Sequence, residues 1–169
     1  MAPVINEMPI DAVDSHDRPV GVIPRSEVFR LRAGFRVAHD LLFNSRGELL
    51  VQQLASERDR HPSQWGSSVA AYLFSGESYQ EAADRRLREE LGVSIPLKFI
   101  GITSMDDDGS RKFIGVFTGR ADGPFHYDRR HIASLEFLPV SKIEELMNEG
   151  ARLFTPTFRK VFAFYKSIQ

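Results

Sequence analysis

The chain contains no cysteine. Disulfides, zinc–thiolate centres and thiol nucleophiles are therefore excluded, and a reducing cytoplasm is the default expectation. An excess of either charge is also missing. Lys and Arg number 22 against 23 Asp and Glu, a formal net charge of −1. That balance leaves no electrostatic footprint for a nucleic-acid polymer or a membrane surface as the main partner. No apolar run approaches the ~20 residues of a membrane span, and residues 1–10 lack the basic-then-apolar layout of a signal peptide. Internal repeats and low-complexity stretches are absent. What remains is an ordinary globular composition of 169 residues, 42% apolar and 27% charged. Such a chain fits one domain that buries roughly 70% of its unfolded surface.

Read along its length, the chain predicts a flexible tail over residues 1–11 and a single domain over 12–168. A hairpin-like segment spans Ala12 to Val28, with turn chemistry at Asp14-Ser15-His16-Asp17. Gly34 to Phe43 and Glu48 to Gln53 are strands joined by a turn at Asn44-Ser45-Arg46-Gly47. Leu54 to Gln64 is polar and aperiodic, a loop long enough to be functional. Ser67 to Phe74 is a further strand, followed by a helix from Ser78 to Leu91. Leu97 to Met105 and Lys112 to Gly119 are strands flanking Asp106-Asp107-Asp108-Gly109-Ser110. Ser134 to Leu138 is the last strand. Two helices follow, one over 141–148 with a capping box at Ser141 and Glu144, and one starting at Thr155-Pro156 and running to about Ser167. The order is not a regular βαβ alternation. The expected class is α+β, a mixed sheet between helices.

The helix over 78–91 carries the strongest chemical signal. Ser78 and Glu81 form a capping box, Ala83, Leu87 and Leu91 recur every four residues as a buried stripe, and Gly92 supplies the left-handed stop. Its last turn holds Glu89 and Glu90, at the end where the helix dipole disfavours each anion by about 0.3–1 kcal/mol. Two such penalties point to another role, and holding a divalent cation is the obvious one. Mg²⁺ is typically bound by one or two carboxylates, with substrate phosphates and water completing the octahedron. Such an ion would suit cleavage of a diphosphate, neutralising its oxygens and activating a water, with a nearby carboxylate taking the proton. The same pattern also reads as surface ion pairs, Arg85 with Glu89 and Arg86 with Glu90, worth about 0.3–0.5 kcal/mol each.

Other candidates are spread along the chain. Arg58, Arg60 and Arg86 are candidate phosphate contacts, as are Arg129 and Arg130, because guanidinium donors pair with phosphate bidentately. Asp106, Asp107 and Asp108 are a spare carboxylate source or, more simply, a hairpin tip. His131 is a metal-ligand type in a loop or an exposed loop residue. Phe113, Phe117, Phe125 and Tyr127 are base-stacking candidates or, as strand aromatics usually are, core. Trp65 reads as a structural anchor of the preceding loop.

The segment Ala71 to Val93 resembles the Nudix box, GX5EX7REUXEEXGU with U a bulky aliphatic. Glu77, Arg85, Leu87, Glu89, Glu90, Gly92 and Val93 match, seven of the nine fixed positions. Ala71 replaces the first glycine, and Arg86 replaces the glutamate after the arginine. The stretches Arg18-Pro19-Val20-Gly21, Phe43 to Gln52, His61-Pro62-Ser63-Gln64-Trp65 and Gly123-Pro124-Phe125 resemble a Nudix branch close to isopentenyl-diphosphate isomerase. The resemblance covers roughly residues 12–168. It implies an α/β/α sandwich and a substrate in which a nucleoside diphosphate is linked to another group.

It also implies Mg²⁺ or Mn²⁺ on Glu89 and Glu90, with Glu77 and Arg85 supporting the loop and helix. That isomerase uses a cysteine, so isomerisation is not expected here. The glutamate expected at position 86 contributes to metal binding and, in some members, to base catalysis. Arg86 cannot be a base, so the catalytic base is unassigned. Two functions follow as expectations. One is a metal-dependent pyrophosphohydrolase of a small phosphorylated substrate. The other is a non-catalytic scaffold that binds a phosphorylated ligand or a protein. The N-terminal segment is a candidate homodimer contact.

Overall fold

The computed structural model describes residues 7–169. Strands β1 (Pro9–Val13) and β2 (Pro19–Pro24) form an antiparallel ribbon. Its turn is closed by the Asp14 carboxylate, which accepts the backbone N–H groups of His16 and Arg18, the local bonding that makes Asp a turn residue. The ordered chain thus begins before residue 12. Ile10 is 1% exposed and pairs with Ile23 against the core. The remainder of the expected tail, residues 1–6, lies outside the described residues.

A seven-stranded mixed sheet follows. Strand β3 (Phe35–Phe43) turns at Asn44–Gly47 into β4 (Leu49–Leu54). The two do not stay together as a hairpin, because Phe43↔Leu49 is their single register pair. β3 instead pairs with β6 (Val69–Tyr72) and, in parallel, with β8 (Ser110–Arg120), while β4 pairs with β5 (Trp65–Gly66) and β9 (Ile132–Leu138). The strand expected over 67–74 is shorter, Val69–Tyr72, and a separate two-residue strand, Trp65–Gly66, precedes it. The break falls at Ser67-Ser68, where side chains fill the gap between the diverging strands. Ser68 Oγ accepts from Leu42 N at 2.9 Å and donates to Leu50 O at 2.6 Å. Ser67 Oγ lies 2.8 Å from His39 Nδ1. Burial and the Lys112 charge lower the His39 pKa to about 3, so this imidazole is neutral at ordinary pH. Strand β7 (Lys98–Asp107) closes the far edge against β8.

Helix α1 (Tyr79–Leu91) lies on one face of the sheet, with both bonds of its capping box formed and Gly92 at φ 68°. It packs Ala82, Ala83, Leu87 and Leu91 onto Ala38, Leu42, Val69 and Phe117. Helices α2 (Val140–Glu149) and α3 (Pro156–Ser167) cover the other face around Phe35, Phe154 and Phe158. The result is a sheet between helices, as expected. Thr155 caps α3 as predicted, its hydroxyl accepting from Phe158 N. The predicted box at Ser141 is not formed. α2 starts one residue earlier, behind Pro139, with no side-chain cap, so Ser141 already sits inside the first turn.

The hairpin tip between β7 and β8 is tied down by charge. Asp107 Oδ1 accepts from Arg60 Nη2 at 2.8 Å, and Lys112 Nζ lies 2.7 Å from Asp107 Oδ2. Burial pushes the Asp107 carboxyl up, but the bonds from Arg60 and Lys112 outweigh it and bring the pKa down to about 2. Lys112 goes the other way: burial outweighs Asp107 and lowers the ammonium pKa. A depressed carboxyl stabilises the fold above its ordinary value of 3.8, and that stabilisation is lost as pH falls through about 2. Asp107→Asn should therefore flatten the acid limb of stability between about pH 4 and 2. Urea midpoints across that window check it, and an unchanged limb would remove Asp107 from the account.

Candidate functional site

The site is assembled at the loop before α1 and along the helix itself. Gly76 turns the chain at φ 83°. The Asp11 carboxylate of β1 holds this turn, accepting from Ser75 Oγ at 2.6 Å and Gly76 N at 3.2 Å. Glu77 then folds back, its Oε1 accepting from Phe74 N at 2.8 Å. Arg85, two turns along α1, grips both Glu77 oxygens through Nε and Nη2 at 2.8 and 3.0 Å. The same guanidinium donates to Tyr72 O at 3.0 Å and lies 4.0 Å from the Phe74 ring centroid. Strand, loop and helix are thereby joined through one arginine. Ala71, which replaces the first glycine of the box, lies in regular strand β6 and has no left-handed φ. The backbone there needs no glycine.

Glu89 and Glu90 come next. The expected i,i+4 pairs both exist, Arg85–Glu89 at 3.2 Å and Arg86–Glu90 at 3.0 Å. Arg86 does more than the helical spacing predicts. Its Nη1 also donates to Glu89 Oε2 at 3.1 Å, so one guanidinium bridges the two carboxylates. Glu90 is only 7% exposed, and its other oxygen accepts from Gln52 Nε2 at 3.2 Å. That amide also donates to Ser68 O at 2.7 Å, which anchors it. Every carboxylate oxygen of the pair has an N–H partner. Among the described residues, no cluster of three or more His, Asp or Glu is placed to hold a metal.

The donor set therefore does not fit a bare resident ion. It fits a divalent cation that arrives with a diphosphate, because Mg²⁺ sites commonly take two protein carboxylates and complete the shell with phosphate and water. Arg86 would first have to leave the carboxylates.

One candidate residue was not foreseen. Arg25 follows β2 in a short 3-10 turn and lies 3.9 Å from the Tyr72 ring centroid, whose ring stacks on Phe35. Burial lowers its pKa, Tyr72 opposes the fall, and the charges of Arg58 and Arg86 lower it further. Arg25 forms no ion pair among the described residues and feels the like charges of Arg58 and Arg86. A part-buried cation under like-charge repulsion calls for an anion. No periodicity or turn signal marks Arg25, because its partners come from distant strands and loops.

The other candidates fall elsewhere. Arg60 is committed to Asp107 and Asp108 and to the Phe29 ring at 4.2 Å, which removes it from the candidate phosphate contacts and leaves Arg58 and Arg86. Asp107 is a buried anchor and Asp108 the exposed tip. Arg130 pairs with Asp128, and Arg129 lies over Tyr127. His131 is exposed, with its carbonyl held by Ala55 N. Phe117 is core, and Phe125 and Tyr127 pack against the cluster of Leu42, Leu87 and Leu91. Trp65 pairs in β5 and carries Arg152 at 4.2 Å, an anchor as expected.

A protein-family model described as the NUDIX domain matches residues 35–158. The chain is 34% identical over 135 residues to an uncharacterized Nudix hydrolase of Pseudomonas aeruginosa, covering 79% of this chain and 80% of the relative. It is 30% identical over 164 residues to an isopentenyl-diphosphate Delta-isomerase of Nocardia farcinica, covering 91% and 92%. In fold it is similar to a solved structure from Deinococcus radiodurans, with a TM-score of 0.81, 24% identity, and coverage of 92% of this chain and 97% of that one. It is also similar to the NUDIX domain of Shewanella oneidensis NrtR in complex with ADP ribose, with a TM-score of 0.62, 12% identity, and coverage of 80% and 88%.

Proposed function

Because the chain belongs to the Nudix family, we propose that it is a pyrophosphohydrolase of a small diphosphate-linked substrate, such as a nucleoside diphosphate joined to another group. The observation that carries this reading is the Arg86 bridge between Glu89 and Glu90, together with Arg25, which has no ion-pair partner among the described residues. Arg25, Arg58 and Arg86 bind the phosphates. Phosphate competes for Arg86 through charge-assisted bidentate bonds and draws it off the two carboxylates. Glu89 and Glu90 are then free to hold the Mg²⁺ or Mn²⁺ that accompanies the diphosphate. When bound, such a cation neutralises phosphate oxygens and activates water. Arg85 and Glu77 fix the helix so that the carboxylates stay in place. Position 86 supplies no base, and no other residue is assigned that role. Isomerisation is not part of this reading, since the chain has no cysteine. The substrate is a small molecule rather than a nucleic-acid polymer or membrane, and the absence of cysteine suits a reducing cytoplasm.

Turnover of nucleoside triphosphates, dinucleotides and nucleotide sugars with Mg²⁺ or Mn²⁺ tests the proposal. Release of a phosphorylated product from one of them is expected, and no turnover across the panel would sink the hydrolase reading. Arg25→Ala should raise KM roughly 10–100-fold with little change in kcat, the size of a lost bond to a charged group. An unchanged KM would remove Arg25 from the phosphate site.

A second reading is favoured by the full set of N–H partners on Glu89 and Glu90. In it, Arg86 permanently replaces the cation and the chain binds a phosphorylated ligand without cleaving it. Binding of ADP-ribose that survives EDTA, without turnover in Mg²⁺ or Mn²⁺, supports this version. Binding abolished by EDTA contradicts it.

A further inference from the structure

Beneath α1 lies a carboxyl that none of this chemistry uses. Asp40 sits in the middle of β3, opposite Val69 of β6 and Phe117 of β8. Its strand neighbours on the same face, Ala38 and Leu42, pack against α1. Asp40 is 0% exposed, and neither of its oxygens has a hydrogen-bond partner among the described residues. The charged groups that act on it are Asp84 and Glu90, both acidic and both on α1. No hydrogen bond or ion pair joins it to either. β6 and β8 present apolar Val69 and Phe117 at its register positions. Among the described residues no cation forms a hydrogen bond or ion pair with it. A buried carboxylate without a partner is far costlier than the neutral acid. Burial accordingly raises its pKa well above the ordinary carboxylate value, and Asp84 and Glu90 raise it further.

We propose that Asp40 is a proton-operated latch for α1. Neutral Asp40 lets the helix seat on the sheet. Ionised Asp40 forces that interface open to reach water, and the Arg86–Glu89–Glu90 bridge on the same helix loosens with it. A raised carboxyl binds its proton in the folded state and releases it on unfolding. Its contribution to stability is full below the ordinary value of 3.8 and is lost progressively as pH rises. The latch therefore weakens as pH rises above the ordinary carboxylate range.

Amide exchange across residues 82–91, corrected for intrinsic rates, tests this between pH 6 and pH 9. In wild type, protection of α1 should fall more than tenfold across that range while β3 and β8 keep theirs. In Asp40→Asn, which cannot ionise, α1 protection should be flat. Parallel profiles in the two proteins would overturn the proposal, as would a loss spread evenly over the sheet. Should the variant not fold, aspartate side-chain carbon NMR of wild type still decides. One aspartate is expected to titrate well above all the others, and titration of every aspartate in the ordinary carboxylate range contradicts the latch.

Discussion

Arg86→Glu should raise kcat on a diphosphate-linked substrate by roughly 10²–10⁴-fold in Mg²⁺, the range contributed by a well-placed general base. KM should rise about tenfold at the same time, because one phosphate contact is lost. The two effects separate the roles of the arginine. In the wild-type protein its guanidinium bridges Glu89 Oε2 and Glu90 Oε2, so it neutralises the two carboxylates. A glutamate there removes the competitor and adds a third carboxylate on the same helix turn. Without metal the variant should be less stable by about 3 kcal/mol or more, since the buried Glu90 carboxylate loses its cation and gains a like charge one turn away. With Mn²⁺ it should melt higher than without. A variant with neither faster turnover nor metal-dependent melting would show that position 86 is not what limits this site.

Arg85→Ala should lower stability by about 3 kcal/mol, because it leaves the part-buried Glu77 carboxylate without its cation. For a chain of this length that is a drop of roughly 6–12 °C in Tm. Arg85 is 20% exposed and Glu77 18%, well below the exposure at which ion pairs become negligible. The guanidinium also satisfies Tyr72 O and covers the Phe74 ring. Its loss frees the loop from the helix, so turnover falls together with Tm. Glu81→Ala, which removes one half of the exposed capping box, gives the contrasting small effect. Equal losses from the two variants would mean that Arg85 is an ordinary surface residue.

Helix α1 was legible because its signals are local. A cap, a stripe every four residues and a glycine stop all lie within one short segment, and Arg85, Arg86, Glu89 and Glu90 meet at helical spacing. The mixed sheet was legible as a class, and most strands came within a few residues of their bounds. Errors arose where tertiary structure decides. The Asn44–Gly47 turn predicts a hairpin, yet the sheet splays it and inserts Ser68 between Leu42 and Leu50. Pro9 to Asp11 looks like tail until Ile23 and Ser75 supply partners. Ser141 has the right spacing to Glu144, but Pro139 already begins the helix. Arg25 meets Tyr72 only in the folded chain. Asp40 looks like one polar residue in an apolar strand, and its isolation appears only once α1 covers it.

In the proposed function Arg86 occupies the place of a divalent cation between Glu89 and Glu90. Titration of bare Mn²⁺ into wild type and Arg86→Gln, followed by the paramagnetic signal of free Mn²⁺, tests it without any substrate. Glutamine removes the charge and adds no carboxylate. The account predicts that the variant binds Mn²⁺ at least about tenfold more tightly, the effect of removing one competing charge-assisted bond. Equal affinities, or tighter binding by wild type, would contradict it.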